Sequence, residues 1–336
     1  MEPASTPRDV SEPVNRSHLH SAILAGRSRN REEDPVLIDE IDYKDPIYAK
    51  LAKKSQSMIR NDPELNRWMF QQGMTFACDG AADRFTDLWK AQKKLAESLH
   101  EPRDLVHMND RESVFQRLHG PGAEPVPEHR LPGGKSRWNM AYCNLKDAFI
   151  DAERCIEVYY NRCLTKPSIM FRCGSPVERI HIQRGMAKGV ILENGDSLQA
   201  DVVLVAAGAW SGRLIDLEQR IYPIGHEVAW IKLTSGEERR WKNNSITTNL
   251  STGLNMFPPY NGEIKLLRRS PGYKNTIRVP NPEDRSKTME ISYPRTIVSN
   301  PSDVIPLDAE NAIRENLREI MPTLADRPFD RTKICW

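Results

Sequence analysis

Residues 202–207, VVLVAA, constrain the fold more than any other stretch, because the run is apolar throughout and is followed at once by Gly208-Ala209-Trp210-Ser211-Gly212. Such a short aliphatic run predicts a strand buried on both faces, as in a parallel sheet covered by helices. The glycine exit would deliver the strand's C-terminal end to a crevice, the place where open α/β sheets bind ligands. A plain core strand ending in a tight turn carries the same signature.

The surrounding pattern supports a layered fold. Asp45-Pro46 supplies an N-cap and a first-turn proline, and Tyr48, Leu51, Ala52, Ser55, Met58 and Ile59 follow at helical spacing to Arg60. Phe85, Leu88, Trp89, Leu95, Ala96 and Leu99 form a second stripe, interrupted by Gln92 and opposed by Lys90, Lys93 and Lys94. The segment 119–134, HGPGAEPVPEHRLPGG, reads as a loop or an inter-domain crossing. Asn144 can cap a third helix with Leu145, Ala148, Phe149, Ala152, Cys155, Ile156 and Tyr159 on one face. Short strands are expected over 168–173, 177–183, 189–192 and 197–200, with Asn194-Gly195 as a hairpin turn. Residues 222–297 look strand-like, and 308–321 return to helix with Ile313, Leu317 and Ile320 inward. The fold class that follows is α/β or α+β with a mixed sheet.

With 336 residues the chain is long enough for two cores. Lys and Arg total 48 against 46 Asp and Glu, and no sustained basic block marks a nucleic-acid footprint. Six cysteines without a CxxC pair suit a reducing compartment. Residues 1–17 have the composition of a disordered tail and lack the apolar core of a leader, so a cytoplasmic protein with no membrane partner is expected.

A dinucleotide site built on GxGxxG is missing from the sequence. Gly120-Pro121-Gly122 comes nearest, but no third glycine follows and the proline removes a needed N–H.

Several stretches, in order, carry a family likeness. QADVVLVAAGAWSGRLIDLE (199–218) resembles the flavin-contacting strand of the sarcosine oxidase superfamily. SAILAGRSRN (21–30) resembles the flavin-wrapping loop of fructosyl amino acid oxidases, or amadoriases, and DYKDPIYAKLAKKSQSMIRNDPELNRWMFQQGMTFA (42–77) the helix and strand after it. GEIKLLRRSPGYKN (262–275) is similar to their lysine strand, and IPLDAENAIRENLREIMPTLADRPFDRTKICW (305–336) to their penultimate segment. Pipecolate and saccharopine oxidases belong to the same circle.

The resemblance implies an FAD-dependent oxidase of the C–N bond of a secondary amine or amino acid, with dioxygen as acceptor and a possible place in a dedicated biosynthetic pathway. It implies an incomplete Rossmann-like FAD-binding domain over 18–70 and 136–215, and a mixed-sheet substrate domain over 71–135 and 216–334. Lys265 matches the lysine near flavin N5, where a fixed positive charge stabilises developing superoxide. By spacing alone it is an ordinary strand lysine. Cys335 matches the cysteine that bonds covalently to the flavin, and Val177 the position whose backbone meets the adenine. Ala207, Gly208 and Trp210 lie where the family's strand passes the cofactor. Ser28 stands where the wrapping loop usually has an aspartate, and Arg31 where it carries a lysine.

Departures bear on the substrate. Arg269, beside Arg268, occupies the place of the glutamate with which amadoriases hold a cationic substrate. Two such charges would repel an ammonium and favour an acidic group. Residues 136–149 also lack the family's glycine-tryptophan pair. Fructosyl amino acids are therefore disfavoured against pipecolate-like or saccharopine-like amines. The family places its glycine fingerprint before Ser21 and a further flavin-contacting segment after Trp336, so the sequence is expected to be the middle of such a protein. A catalytically silent relative, a dehydrogenase that avoids oxygen, and a peroxisomal location are the rival expectations.

Overall fold

The computed structural model describes residues 36–39, 46–217, 220–302 and 304–336. Ser28, Arg31, the cap residue Asp45 and the expected tail over 1–17 lie outside these. The chain divides into two compact units, a larger one comprising the described residues up to Asn161 with Pro223–Asn275 and Pro294–Trp336, and a smaller one of Arg162–Tyr222 and Thr276–Tyr293.

In chain order the elements are β1 (Val36–Asp39), α1 (Pro46–Asn61), β2 (Met69–Phe70), β3 (Met74–Cys78), α2 (Arg84–Leu99), β4 (Leu105–Met108), α3 (Arg111–His119), β5 (Met140–Asn144), β6 (Ala148–Asp151) and α4 (Ala152–Leu164). They continue with β7 (Val177–Gln183), β8 (Met186–Leu192), β9 (Ser197–Gln199), β10 (His226–Lys232), α5 (Ser235–Trp241), β11 (Ile246–Asn249), β12 (Leu254–Met256) and β13 (Glu263–Arg268). The remainder are β14 (Thr276–Pro280), β15 (Thr288–Ser292), α6 (Leu307–Ile320) and β16 (Arg331–Cys335).

The larger unit is organised on one eight-stranded sheet, ordered β16-β10-β13-β12-β11-β3-β5-β4. Every pair in it is antiparallel except β3 with β11, so the sheet is mixed. Each face buries its own core. On one, Ala229, Ile231, Ile264 and Leu266 meet Ile313, Leu317 and Ile320 of α6. On the other, Phe76, Tyr142, Ile246 and Phe257 meet Trp89 and Ala96 of α2. Asp83 fixes the start of α2 by accepting from the Phe85 and Thr86 N–H groups at 2.9 and 3.0 Å. Trp89 is then buried and donates its indole N–H to the Phe76 carbonyl at 2.8 Å. Each large side chain so buried contributes about 1.5–3 kcal/mol.

Small antiparallel sheets complete the picture: β1-β6-β2 in the larger unit, and β7-β8-β9 and β14-β15 in the smaller. The Asn194-Gly195 hairpin forms as read, with the Gly195 N–H donating to Leu192 O at 2.9 Å and φ of 88° at the glycine. No helix among the described residues is long and apolar enough to cross a membrane.

Three local expectations are corrected. The third helix begins at Ala152 rather than after Asn144, because Ala148–Asp151 pairs as a strand with β1 and β2. Phe149 stacks on Phe70 at 4.8 Å there, so packing overrides the helical spacing, and Asp151 takes over the cap by accepting from Arg154 N–H. Residues 168–173 form no strand, and Met170 is 92% exposed. The expected buried strand over 202–207 is also absent: the run is irregular, with Val202 82% and Leu204 87% exposed. A parallel core strand needs hydrogen-bonding neighbours, and among the described residues none pairs with it.

Candidate active site

Register places the candidate chemistry on one sheet face. Residues directly opposite in neighbouring strands share a face, as do alternate residues along a strand. Lys265 of β13 is paired with Trp230 of β10, which is paired with Arg331 of β16. Two residues along, Leu267, Val228 and Lys333 form the next row, and His226 with Cys335 the one after. Lys265, Lys333 and Cys335 therefore belong to the same surface of the larger unit.

Lys265 is 5% exposed, and its Nζ lies 4.1 Å from the centroid of the Phe257 ring. A cation held against an aromatic face in a water-poor setting exerts a stronger field than one in solvent. Arg331 stacks on Trp230 at 3.9 Å and hydrogen-bonds Glu263 at 2.8 Å, while Lys333 lies 5.6 Å from the same indole. Cys335 is a half-buried free thiol. Its strand end is seated tightly, because a Cβ on Gly225 would meet Ile334 Cγ2 at 2.2 Å, and Trp336 donates to the Arg295 carbonyl at 2.8 Å.

The two arginines after Lys265 part company. Arg268 falls on the opposite face, where it pairs with the fully buried Glu227 and reaches Asp308 at 3.3 Å and Tyr273 Oη at 3.4 Å. Its charge is used in holding β10, β13 and α6 together, so it does not act on a substrate at the lysine face. Arg269 lies just beyond the end of β13 and is exposed. Its N–H donates to Gly253 O at 2.7 Å, and a Cβ on Gly253 would lie 2.5 Å from Arg269 O, so this approach needs glycine.

The other residues assigned by resemblance lie in the smaller unit. Val177 opens β7 opposite Leu192, and Ala207 leads into a 3-10 turn over Gly208–Arg213 with Gly208 at φ of 51°. Trp210 is half-buried in that turn and donates its backbone N–H to Ala207 O at 3.0 Å.

Sequence reading missed Glu227, Asn255 and Thr248. Glu227 is a single acid inside the apolar strand HEVAWIK, and Asn255 a single amide inside GLNMF. An isolated polar residue in a core strand was the available signal. Tyr260 was missed as well: it donates to Asp151 at 2.6 Å, and burial together with that carboxylate raises its phenol above the usual range. A cavity of about 460 Å³ between α1 and α4, lined by Leu51, Met58, Ile59, Cys155, Ile156 and Tyr159 among others, includes none of the residues expected to act.

Comparison with known proteins gives this face its context. Residues 17–336 match the FAD dependent oxidoreductase family, DAO, and the chain belongs to that family. It is 26% identical over 308 residues to the L-saccharopine oxidase of Schizosaccharomyces pombe, covering 88% of this chain and 67% of that one. To the amino acid oxidase imqH of Aspergillus flavus it is 23% identical over 339 residues, covering 88% and 70%. Among solved structures, a modified fructosyl peptide oxidase from Aspergillus nidulans superposes with a TM-score of 0.77 at 21% identity, over 90% of this chain and 68% of that chain. Amadoriase II of Aspergillus fumigatus does so with 0.72 at 20% identity, over 90% and 66%. The mixed α/β architecture is thus that of FAD-dependent oxidases, and the chain spans about two thirds of these relatives.

Proposed function

We propose that this chain oxidises the C–N bond of a secondary amine or amino acid carrying an acidic group, with dioxygen as acceptor. The observation that carries the reading is Lys265, a lysine 5% exposed on a sheet face that also bears Cys335. These residues fit a flavin: a half-buried free thiol suits attachment, and a desolvated cation suits charge that builds up during oxygen reduction. Bound FAD would accept hydride from the substrate carbon and return electrons to oxygen as peroxide. The chain's part is to fix a positive charge at Lys265 Nζ, to keep water from it with Phe257 and Trp230, and to present Cys335 at the strand end.

Arg269 supplies the acidic-group preference, because it is exposed just past the end of the lysine strand. The name of one relative, a saccharopine oxidase, agrees with a multiply carboxylated amino acid. Within this proposal Val177, Ala207, Gly208, Trp210, Ser28 and Arg31 serve the cofactor, and the FAD-binding segments are 18–70 and 136–215.

The test is direct. Acid-denatured protein should retain yellow absorbance, and Cys335→Ala should release it. With a substrate that bleaches the flavin anaerobically, Lys265→Met should slow reoxidation by oxygen at least 100-fold and leave bleaching within about 10-fold, the scale of losing a well-placed charge. Equal reoxidation rates in both proteins would remove Lys265 from this role.

A further inference from the structure

Two buried polar side chains on the Lys265 face have no hydrogen-bond partner. Asn255 is 1% exposed, and neither its Oδ1 nor its Nδ2 is satisfied; Thr248 is fully buried with an unsatisfied Oγ1. They are direct register partners on β12 and β11. Asn255 is also paired with Leu267, two residues from Lys265, which puts it on the diagonal to the lysine at roughly 7–8 Å between Cα atoms.

Other asparagines of the same sheet are satisfied. Asn249 donates to Arg137 O at 2.7 Å and accepts from Ser251 and Thr252 N–H groups, and Asn144 accepts from Lys146 N–H. Among the described residues Asn255 is the side chain whose two polar atoms are both buried and unpaired. Leaving such groups unmade costs about 1–3 kcal/mol each, which a sequence retains where something else completes the bonds.

We propose that Asn255 and Thr248 bind the head of a secondary α-amino acid substrate, an inference that rests on the oxidase reading above. Asn255 Oδ1 accepts the amine N–H, while Asn255 Nδ2 and the Thr248 hydroxyl donate to the neighbouring carboxylate. The acceptor is neutral by design of the site: the acid on this part of the face, Glu263, is bound to Arg331, and Glu227 belongs to the other face. A neutral acceptor beside the Lys265 charge favours the unprotonated amine, which is the form with a lone pair available for C–N oxidation. An acid in place of Asn255 would stabilise the unreactive ammonium instead.

The experiment uses FAD-loaded protein and anaerobic flavin bleaching by N-methylglycine, proline, pipecolate and saccharopine. With any of these that bleaches the wild type, Asn255→Leu should raise the half-saturating concentration at least 10-fold, and Thr248→Val 3-fold or more. Asn255→Asp should move the bleaching rate's pH dependence to higher pH. In the absence of substrate, Asn255→Leu removes unpaired polar atoms, so its Tm should hold or rise by roughly 1–3 °C. A Tm lowered by more than about 3 °C would make Asn255 a structural residue and overturn the proposal. Bleaching with the same half-saturation in wild type and Asn255→Leu would overturn this inference alone. No bleaching of the wild type by any of the four would overturn the oxidase reading and this inference with it.

Discussion

Replacing Arg268 by Leu separates a structural role from a catalytic one. Glu227 is fully buried in β10, and Arg268 is its cationic partner from β13. A contacting pair of unit charges at an effective dielectric near 20 attracts by about 4 kcal/mol. Deleting one partner of a buried pair costs about 3–5 kcal/mol, because the remaining charge stays out of water. Among the described residues, Ser270 Oγ, 3.2 Å from Glu227 Oε2, is the hydrogen-bond donor still serving the carboxylate in Arg268→Leu. We expect a destabilisation of about 3–5 kcal/mol in urea unfolding at neutral pH. The loss should shrink as pH falls, since an unpaired buried carboxyl has its pKa raised and is relieved by protonation. Glu227→Leu combined with Arg268→Leu should recover most of it, with a coupling energy of at least about 2 kcal/mol in the double-mutant cycle. Substrate half-saturation should stay within about 2-fold of wild type, as Arg268 lies on the face opposite Lys265. Additive single losses, or a large rise in half-saturation from Arg268→Leu, would refute both the pairing and the division of labour between Arg268 and Arg269.

Other consequences are as concrete. Gly225→Ala would place a Cβ 2.2 Å from Ile334 Cγ2, so thermal unfolding should show a loss of about 1–3 kcal/mol and the Cys335 thiol should alkylate faster as the strand end loosens. His119 donates Nε2–H to Ile320 O at 2.6 Å and accepts from the Trp241 indole at 3.4 Å, and burial depresses its pKa below 6.5. Its contribution is therefore complete above pH 6.5 and lost as pH falls through the depressed folded value, and His119→Gln should flatten that part of the stability profile. Tyr260→Phe removes a donor to Asp151, itself 4% exposed, and should cost about 1–3 kcal/mol in the same unfolding assay.

Segments whose identity depends on near neighbours were legible in the sequence. The α2 stripe buries Trp89 and Ala96 as its spacing predicts, Asn194-Gly195 turns as its chemistry demands, and Ile313, Leu317 and Ile320 face inward from α6 as their spacing predicts. Segments whose identity depends on distant partners were not. The run 202–207 has strand composition, yet a strand is defined by the ladder it joins, and no described residue offers one. Residues 148–151 have helical spacing, yet β1 and β2 capture them.

The candidate site divides along the same line. Lys265 and Cys335 were placed by resemblance to a family, and register is what puts them on one face. The adjacent arginines 268 and 269 looked alike in sequence, and it is the fold that pairs Arg268 with Glu227 and leaves Arg269 exposed beyond the strand's end. Strand register therefore decides what composition leaves open: Arg268, opposite Leu254 in the ladder, belongs to the scaffold through Glu227.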